Sequence, residues 1–513
     1  MTKTTPLTPL AVAATLALAL SACSADSTDD GGGTAATGDT GSGTVPGSVL
    51  RVNWGGFPES WAPGADMEAG SMRVPYENLV ALVDGEIQPV LATDWELTDE
   101  ALTLTLREGV TFHDGTPFDA EAVRTNIETV KDTPGPYAGP FQVIDSIDVT
   151  DEHTVTFNLS EPTPSLLTTL STRAAPMASP AAIAAGTVTS APVGTGPWAY
   201  DEEASVTGTR MVFGPNTDYW GEAPGFESIQ IVAIEEDTAA TAALVSGEID
   251  LTDTESTEFT TLESAGNTDH LSYPAIRNNP IFFDRGPGGV FEDVDVRRAA
   301  CLAIDTETLA SVETDWEVRT QHFAEGEQGY NPDITGYPHD LAEAQRLYDE
   351  AGNPAVDVEM LATFFNERQM QVYAEQVGEI GMNITVQTAP PPQFFSEWAS
   401  GRYPIGLGGN DELTPYDWYQ AWFAADAPGN PSGVESEELA AAADAAIAAG
   451  TSPEADGLWA EVTRIISEEA LTCAHVAGEE LIAWNTDTVT GVAPPVEPWE
   501  TTSVDYRALR PAS

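Results

Sequence analysis

Apolar and polar positions alternate along this chain with two different periods. Period two runs through Leu102–Leu106 (LTLTL) and Thr154–Leu159 (TVTFNL), the pattern of half-buried strands, and a short apolar strand is predicted from Val49 to Val52. A helical period runs through DAEAVRTNIETV, DTAATAALVSGEID, DLAEAQRLYDEAG, ERQMQVYAEQVGEIG and LWAEVTRIISEEA. In the first of these Asp119 is placed to cap the helix, Glu121 falls in its first turn, and Val123, Ile127 and Val130 share one face. In the fourth, Met370, Tyr373, Val377 and Ile380 form a stripe, and Gly381 is predicted to stop the helix ahead of the strand NITVQT. Helices and strands interleave, so the fold class is α/β, and the chain carries no internal repeat.

The first residues follow neither period. Lys3 precedes the apolar run LAVAATLALAL, which LSAC closes, the layout of a secretory signal. Ser21 and Ala22 ahead of Cys23 resemble the lipobox of bacterial lipoproteins, so removal of residues 1–22 and acylation of Cys23 are expected. Residues 23–48 are rich in Gly, Ser, Thr and Asp and lack the apolar bulk needed to offset their ordering entropy; they read as a flexible tether. The expected location is therefore extracytoplasmic, held to the outer face of the cell membrane by the lipid.

Charge narrows the partners. Lys and Arg number 19 against 82 Asp and Glu, a formal net charge of −63. Such a chain repels nucleic-acid phosphates and anionic lipid head groups, which excludes nucleic-acid binding and direct peripheral membrane binding. The acids are scattered rather than blocked, as on a surface suited to charge-screening surroundings.

Catalytic signatures are missing from the sequence. No G-x-S-x-G elbow, Walker lysine or H-E-x-x-H occurs, and GPGG (286–289) and GLGG (406–409) lack the spacing of a dinucleotide loop. His113–Asp114 precedes Gly115 and Pro117 and reads as a turn ahead of the Asp119 cap, not as a catalytic or metal-binding pair. None of the other histidines forms an i,i+4 pair, and carboxylate pairs are too common here to identify a glycosidase. With Cys23 acylated, Cys301 and Cys473 remain, open to two readings: a disulfide, or two buried thiols in apolar helical patterns.

Several motifs in order carry a resemblance. YENLV with GEIQPVLATDWELTDEALTLTLREGVTFHDGTPFDAEAV is followed by PVGTGPW, NTDYWGEAP, ALVSGEIDL, DVDVRRAACLAID, YPHDLAEAQRLYDEAG and EIGMNITVQT. From about Val49 to the C-terminus the chain resembles the family 5 solute-binding proteins of bacterial ABC importers, the dipeptide, oligopeptide and nickel group. The resemblance implies a two-lobed periplasmic-binding-protein-like fold (type II, cluster C) with an inserted domain and a hinge. Mapped here, lobe I combines 49–75, 191–273 and 485–513, the inserted domain is 76–190, and lobe II is 274–484. It implies a monomeric receptor without cofactor or metal, not an enzyme, that hands a small peptide-like solute to the permease subunits. The alternatives are a nickel-chelate or opine-type member, or, from other classes, an extracellular hydrolase or a ligand sensor.

The resemblance also directs attention to two segments of the cleft. Before YENLV it points to Trp61, Met67 and Arg73; within GLGGNDELTPYDWYQAWF it points to Asn410, Asp411, Tyr416, Asp417 and Trp418, with Arg173 as a further cation. The competing reading is lobe packing for Trp61, Met67, Trp418 and Trp422, a structural ion pair for Arg73 and Arg173, and a solvated carboxylate for Asp411 and Asp417. The chain departs from both branches of the family. Leu413 stands where peptide binders carry an aspartate for the ligand's amine, and Glu412 stands where nickel and opine binders carry an aromatic. A zwitterionic or cationic solute is expected, held by a carboxylate of 410–417 against an arginine, with Tyr416 and tryptophans on its apolar part.

Overall fold

In the computed structural model, burial sorts the alternating segments among the described residues into three main sheets packed on apolar clusters, with two small two-stranded sheets beside them. The structure describes residues 44–65, 72–83, 85–133, 137–312, 316–363, 366–408, 412–494 and 504–512. The expected acylation site Cys23 and tether up to residue 43 lie outside the described residues, as do Met67, Asn410 and Asp411. No described helix is long and apolar enough to cross a membrane.

Lobe I is built on a sheet in the order Thr268–Asn278, Val476–Asn485, Leu251–Asp253, Val45–Asn53, Phe226–Val232, Arg210–Pro215, Trp198–Tyr200. Val45–Asn53 runs parallel to both Phe226–Val232 and Leu251–Asp253. Its strand begins at Val45, inside the stretch read as tether, because a bulge between Val45 and Val49 carries the pairing four residues further back. Leu50, Val52, Ile229 and Ile231 bury one face against Trp61, Trp198 and Phe213.

In the inserted domain four antiparallel strands take the order Ala92–Leu97, Ala101–Leu106, Thr154–Leu159, Ile144–Asp151. Leu102, Leu104, Leu106, Val155 and Phe157 share an apolar cluster with Val123, Ile127 and Val130 of the helix Ala120–Asp132. Asp119 caps that helix, accepting from the Ala122 amide at 2.8 Å. His113 fastens the inserted domain to lobe I: its Nδ1 accepts from the Gly194 amide at 3.2 Å and its Nε2 donates to the Gly196 carbonyl at 2.9 Å. Glu77, from YENLV, is buried in the same junction and accepts from Thr195 Oγ1 and Trp220 Nε1 at 2.8 Å and Tyr219 OH at 3.0 Å. Helix Pro180–Ala185 belongs with lobe I rather than with the inserted domain, since Ala178, Ala182 and Val188 pack in lobe I's cluster.

Lobe II holds the sheet Asn383–Ala389, Asp357–Thr363, Ile405–Leu407, Ile281–Phe283, Thr472–Cys473. Met370, Tyr373, Val377 and Ile380 are all buried beneath it. Burying side chains of this size stabilises by roughly 1.5–3 kcal/mol each. Their helix, Glu367–Gly378, stops before Gly381, which takes φ 88° in the turn that leads to Asn383.

The chain crosses between the lobes twice, and the crossings lie side by side. Thr268–Asn278 leads out and Val476–Asn485 returns, paired antiparallel from Thr268↔Asn485 to Asn278↔Ala477, with the register broken between Pro274 and Asn278. The return strand is hydrogen-bonded into lobe I's sheet, so 476–484, assigned from sequence to lobe II, is part of the hinge and of lobe I.

Cys301, in helix Val294–Leu302, and Cys473, at the last strand before the return, are joined in a disulfide with Cα atoms 5.9 Å apart. It closes a loop over a separation of 172 residues. Bonds closing long loops contribute about 2–5 kcal/mol. Non-reduced peptide mapping is expected to find the Cys301–Cys473 cross-link, and reduction is expected to lower the unfolding midpoint; two free thiols by mass spectrometry would contradict the bond.

Candidate functional site

Parallel strands present their carboxyl ends as the natural edge of a binding crevice, because the loops that follow diverge there. In lobe I those ends are Asn53, Val232 and Asp253; in lobe II they are Thr363, Ala389 and Leu407. The two edges meet in this structure. Leu413, six residues past Leu407, packs onto lobe I's apolar cluster, whose rim includes Trp54 and Phe57. On the lobe I side Trp54 donates from Nε1 to Tyr506 OH at 3.0 Å, and Asn53 is fixed by the Ile234 carbonyl and Thr252 Oγ1.

Glu412 is the half-buried carboxylate of this seam. Its Oε1 accepts from Trp422 Nε1 at 2.9 Å. The Trp422 ring stacks on Phe282 at 3.9 Å, and Phe395 lies 6.4 Å from Trp422 with 52 % of its surface exposed. A half-buried carboxylate held at the edge of a buried aromatic stack suits a cationic group, which gains from its charge. Three residues past the strand Asp357–Thr363, buried Asn366 donates to Gln369 Oε1 at 3.1 Å and to Asn279 Oδ1 at 3.5 Å, and Thr363 Oγ1 donates to Asn366 Oδ1. Gln369 Nε2 is buried and donates to no described atom.

The residues picked from sequence are spread across four places. Trp61 is a core residue of lobe I, 2 % exposed, with Trp54, Tyr76 and Phe213 rings within 6.3 Å. Trp418, 1 % exposed, stacks on His322 at 4.6 Å inside lobe II. Arg73 is half-buried and pairs electrostatically with Asp505; burial opposes ionisation of Asp505, but Arg507 and Arg73 outweigh it and hold its carboxyl below the usual range. Arg173 sits 5.7 Å above the Tyr137 ring in the inserted domain.

Tyr416 and Asp417 form a contact between domains instead of an open ligand wall. Ser165 of the inserted domain donates to Asp417 Oδ1 at 2.7 Å, and Thr414, the cap of helix Pro415–Trp422, donates to Oδ2 at 2.7 Å. Both carboxylate oxygens are thus engaged by protein donors. Burial raises the Asp417 pKa, and those two hydrogen bonds only partly offset it. Tyr416, pushed up to about 12 by burial and by the Glu161 charge, faces Thr163 of the same inserted-domain segment. The sequence could not show this, because Ser165 and Asp417 are separated by 252 positions. Glu412 and Phe395 were not singled out from sequence for a related reason: they share a neighbour, Trp422, only in the fold. Position is a signal for Phe395, which follows the predicted strand NITVQT, but not for Glu412, which follows Ile405–Leu407 in a stretch with no strand pattern.

Two cavities lie away from the seam. One of about 330 Å³ separates Leu97–Asp99 and Pro162–Pro164 of the inserted domain from Ile447–Ser452 of lobe II. The other, about 230 Å³, lies behind the hinge between Arg319, His339, Asp305, Thr472 and His475. Among the described residues no group of three or more His, Cys, Asp or Glu is arranged to hold a metal ion.

Comparison with known proteins agrees with this architecture. The profile of the bacterial extracellular solute-binding proteins, family 5 Middle, matches residues 86–430. DdpA of Escherichia coli (strain K12), a periplasmic protein named for D,D-dipeptide binding, is 25% identical over 426 residues, covering 77% of this chain and 82% of that protein. HbpA2 from Haemophilus parasuis shares the fold with a TM-score of 0.79 at 20% identity, covering 91% of this chain and 100% of that one. The ABC transporter-associated periplasmic binding protein DppA from Helicobacter pylori, in complex with peptide STSA, superposes with a TM-score of 0.71 at 21% identity over 90% and 98% of the two chains.

Ser165→Ala is expected to loosen the contact between the inserted domain and lobe II by the worth of one buried charge-assisted hydrogen bond, about 1.5–3 kcal/mol. Hydrogen exchange at 161–167 and 414–418 checks this. Unchanged protection there in the variant would show that the bond does not hold the domains together.

Proposed function

Because this chain belongs to the bacterial extracellular solute-binding proteins of family 5, we propose that it captures a peptide-like or amino-acid-derived solute outside the cell membrane and delivers it to an ABC permease. The solute carries an ammonium or guanidinium group and an apolar portion. The observation that carries this reading is the half-buried Glu412 carboxylate, held by Trp422 Nε1 with the exposed Phe395 ring next to Trp422, where the two lobes meet. Asp417, by contrast, faces the inserted domain with both oxygens held by Thr414 and Ser165.

The mechanism needs no bond chemistry. The solute binds one lobe edge first and contacts the other as the hinge closes; contacts made to both lobes at once are what shift the equilibrium toward the closed form. Closing expels water from the seam, and the Glu412 pairing strengthens as the local dielectric falls. Trp422, 3 % exposed and stacked on Phe282, holds Glu412 through its Nε1, and the exposed Phe395 ring beside it offers the apolar part of the solute a surface. A lipid on Cys23 keeps the receptor beside its permease, and a tether through about residue 43 lets the lobes reach it.

Calorimetry with peptide STSA, with di- and tripeptides and with nickel chelates is expected to show peptide binding that Glu412→Gln weakens about tenfold or more, the loss of one charge-assisted hydrogen bond. Tight binding of a neutral sugar, or peptide affinity unchanged in Glu412→Gln, would overturn the assignment. Metabolic labelling with a fatty-acid analogue is expected to mark the wild type and not Cys23→Ser; an unlabelled wild type would remove the anchor.

A further inference from the structure

One buried polar chain remains unused by this account, and it runs from the hinge to the seam. Asn278, 0 % exposed, is the residue at which the outgoing hinge strand regains its register. Its Nδ2 donates to His475 Nδ1 at 2.8 Å and to His322 Nδ1 at 3.3 Å. With Nδ1 accepting, His322 carries its proton on Nε2, which donates to the Glu412 carbonyl at 3.1 Å. The same His322 ring stacks on Trp418 at 4.6 Å and 9°. It therefore grips the cleft loop at Glu412 and the helix Pro415–Trp422 together. His475 occupies the last position before the returning hinge strand Val476–Asn485, so one asparagine ties both crossings to the loop.

We propose that Asn278, His322 and His475 are positioning residues of the solute site, a hinge-borne relay that sets the Glu412 loop and makes its placement depend on the hinge. The proposal rests on the reading of the seam as the solute site. The relay works only with both imidazoles neutral. A proton on either Nδ1 would face the donating amide of Asn278, and the only escape is rotation of that amide to present Oδ1, which is buried and accepts no hydrogen bond among the described residues. The relay thus has two arrangements, and only one of them holds His322 against Glu412 in the present geometry.

The surroundings favour the neutral arrangement. Burial depresses His322 to about 4, with Arg319 adding to it and the Glu412 carbonyl opposing; burial, His322 and Arg319 depress His475 to about 3. The other charged or titratable groups near the pair are the Glu412 carboxylate, Glu317 on the strand paired to Val476–Asn485, and Asp305, Glu307, Tyr337 and His339 around the cavity that His475 lines. Asp417, on the helix under His322, turns its carboxylate to Ser165. The sign follows from the depressed values: above the ordinary pKa of 6.5 the relay contributes its full stabilisation, and it is lost as pH falls from 6.5 toward about 4, because an opened chain binds more protons over that window.

Hydrogen exchange on the full chain, with no solute added, tests the relay between pH 7.5 and 4.5 after correction for intrinsic rates. At pH 7.5 His322→Leu is expected to raise opening at 412–418 about tenfold, the effect of losing a buried hydrogen bond, while helix Ala120–Asp132 stays unchanged. The wild type is expected to loosen at 412–418 on acidification, and the non-titrating double variant His322→Gln/His475→Gln is expected to lose most of that response. Equal acid responses in wild type and double variant would overturn the proposal, as would loosening by His322→Leu spread evenly over lobe II. Should His322→Leu fail to fold, NMR titration of the wild-type imidazoles decides: protonation in step with loosening supports the relay, and loosening complete while both remain neutral overturns it. None of these readouts uses a solute, so a failed relay leaves the receptor reading standing, and failure to find a solute leaves the relay measurable.

Discussion

The two crossings between the lobes form one antiparallel ribbon, and the rest of the structure depends on that pairing. Because Thr268–Asn278 and Val476–Asn485 share a ladder, the lobes cannot drift independently; they can only bend where the register breaks, between Pro274 and Asn278. The Cys301–Cys473 bond lies at the lobe II root of the same ribbon and fastens a helix to it. With the hinge fixed in this way, the carboxyl ends of the parallel strands in both lobes are aimed at one another, and loops as distant in sequence as 54–57 and 412–413 share an apolar contact surface. Closure is then a rigid-body event about a short ribbon, and a solute that touches both edges biases it.

Charge shapes what such a cleft attracts. Many of the few basic side chains are engaged by protein carbonyls or carboxylates. Arg297 donates to the carbonyls of Phe291, Glu292, Glu469 and Ala470; Arg51 is paired with Asp250 at 2.6 Å, and Arg507 with Asp505 at 2.9 Å. With cations drawn into structural work, the net charge of −63 is expressed mainly at the surface. The summed field favours approach of cationic and zwitterionic solutes over anionic ones and weakens with salt. The Glu412 carboxylate sharpens that general preference at one point.

Elements were legible in the sequence where a local pattern decides them. Asp119 caps its helix, Met370, Tyr373, Val377 and Ile380 bury one stripe, and the His113–Asp114 turn proves structural, with His113 spent on Gly194 and Gly196. The site was less legible because its residues have no local signature. Trp61, Trp418 and Trp422 all prove to be lobe packing, and periodicity could not show that Trp422 also holds Glu412 through its Nε1. A single functional carboxylate is invisible among 82 acids until the fold selects it. Asp417 and Tyr416 face the inserted domain, a direction set by the packing of helix Pro415–Trp422 and by Ser165. Asn278 and the two histidines carry no motif; the hinge alone brings them together.

The most direct test is a crystal structure of the protein isolated from its own host without denaturation, so that the solute it captured there is retained. The account predicts that solute between the two sets of strand ends, with an ammonium or guanidinium nitrogen about 3 Å from the Glu412 carboxylate and apolar atoms against the exposed Phe395 ring. A solute seated instead in the cavity behind the hinge, or beside Pro162–Pro164, with Glu412 untouched, would contradict it.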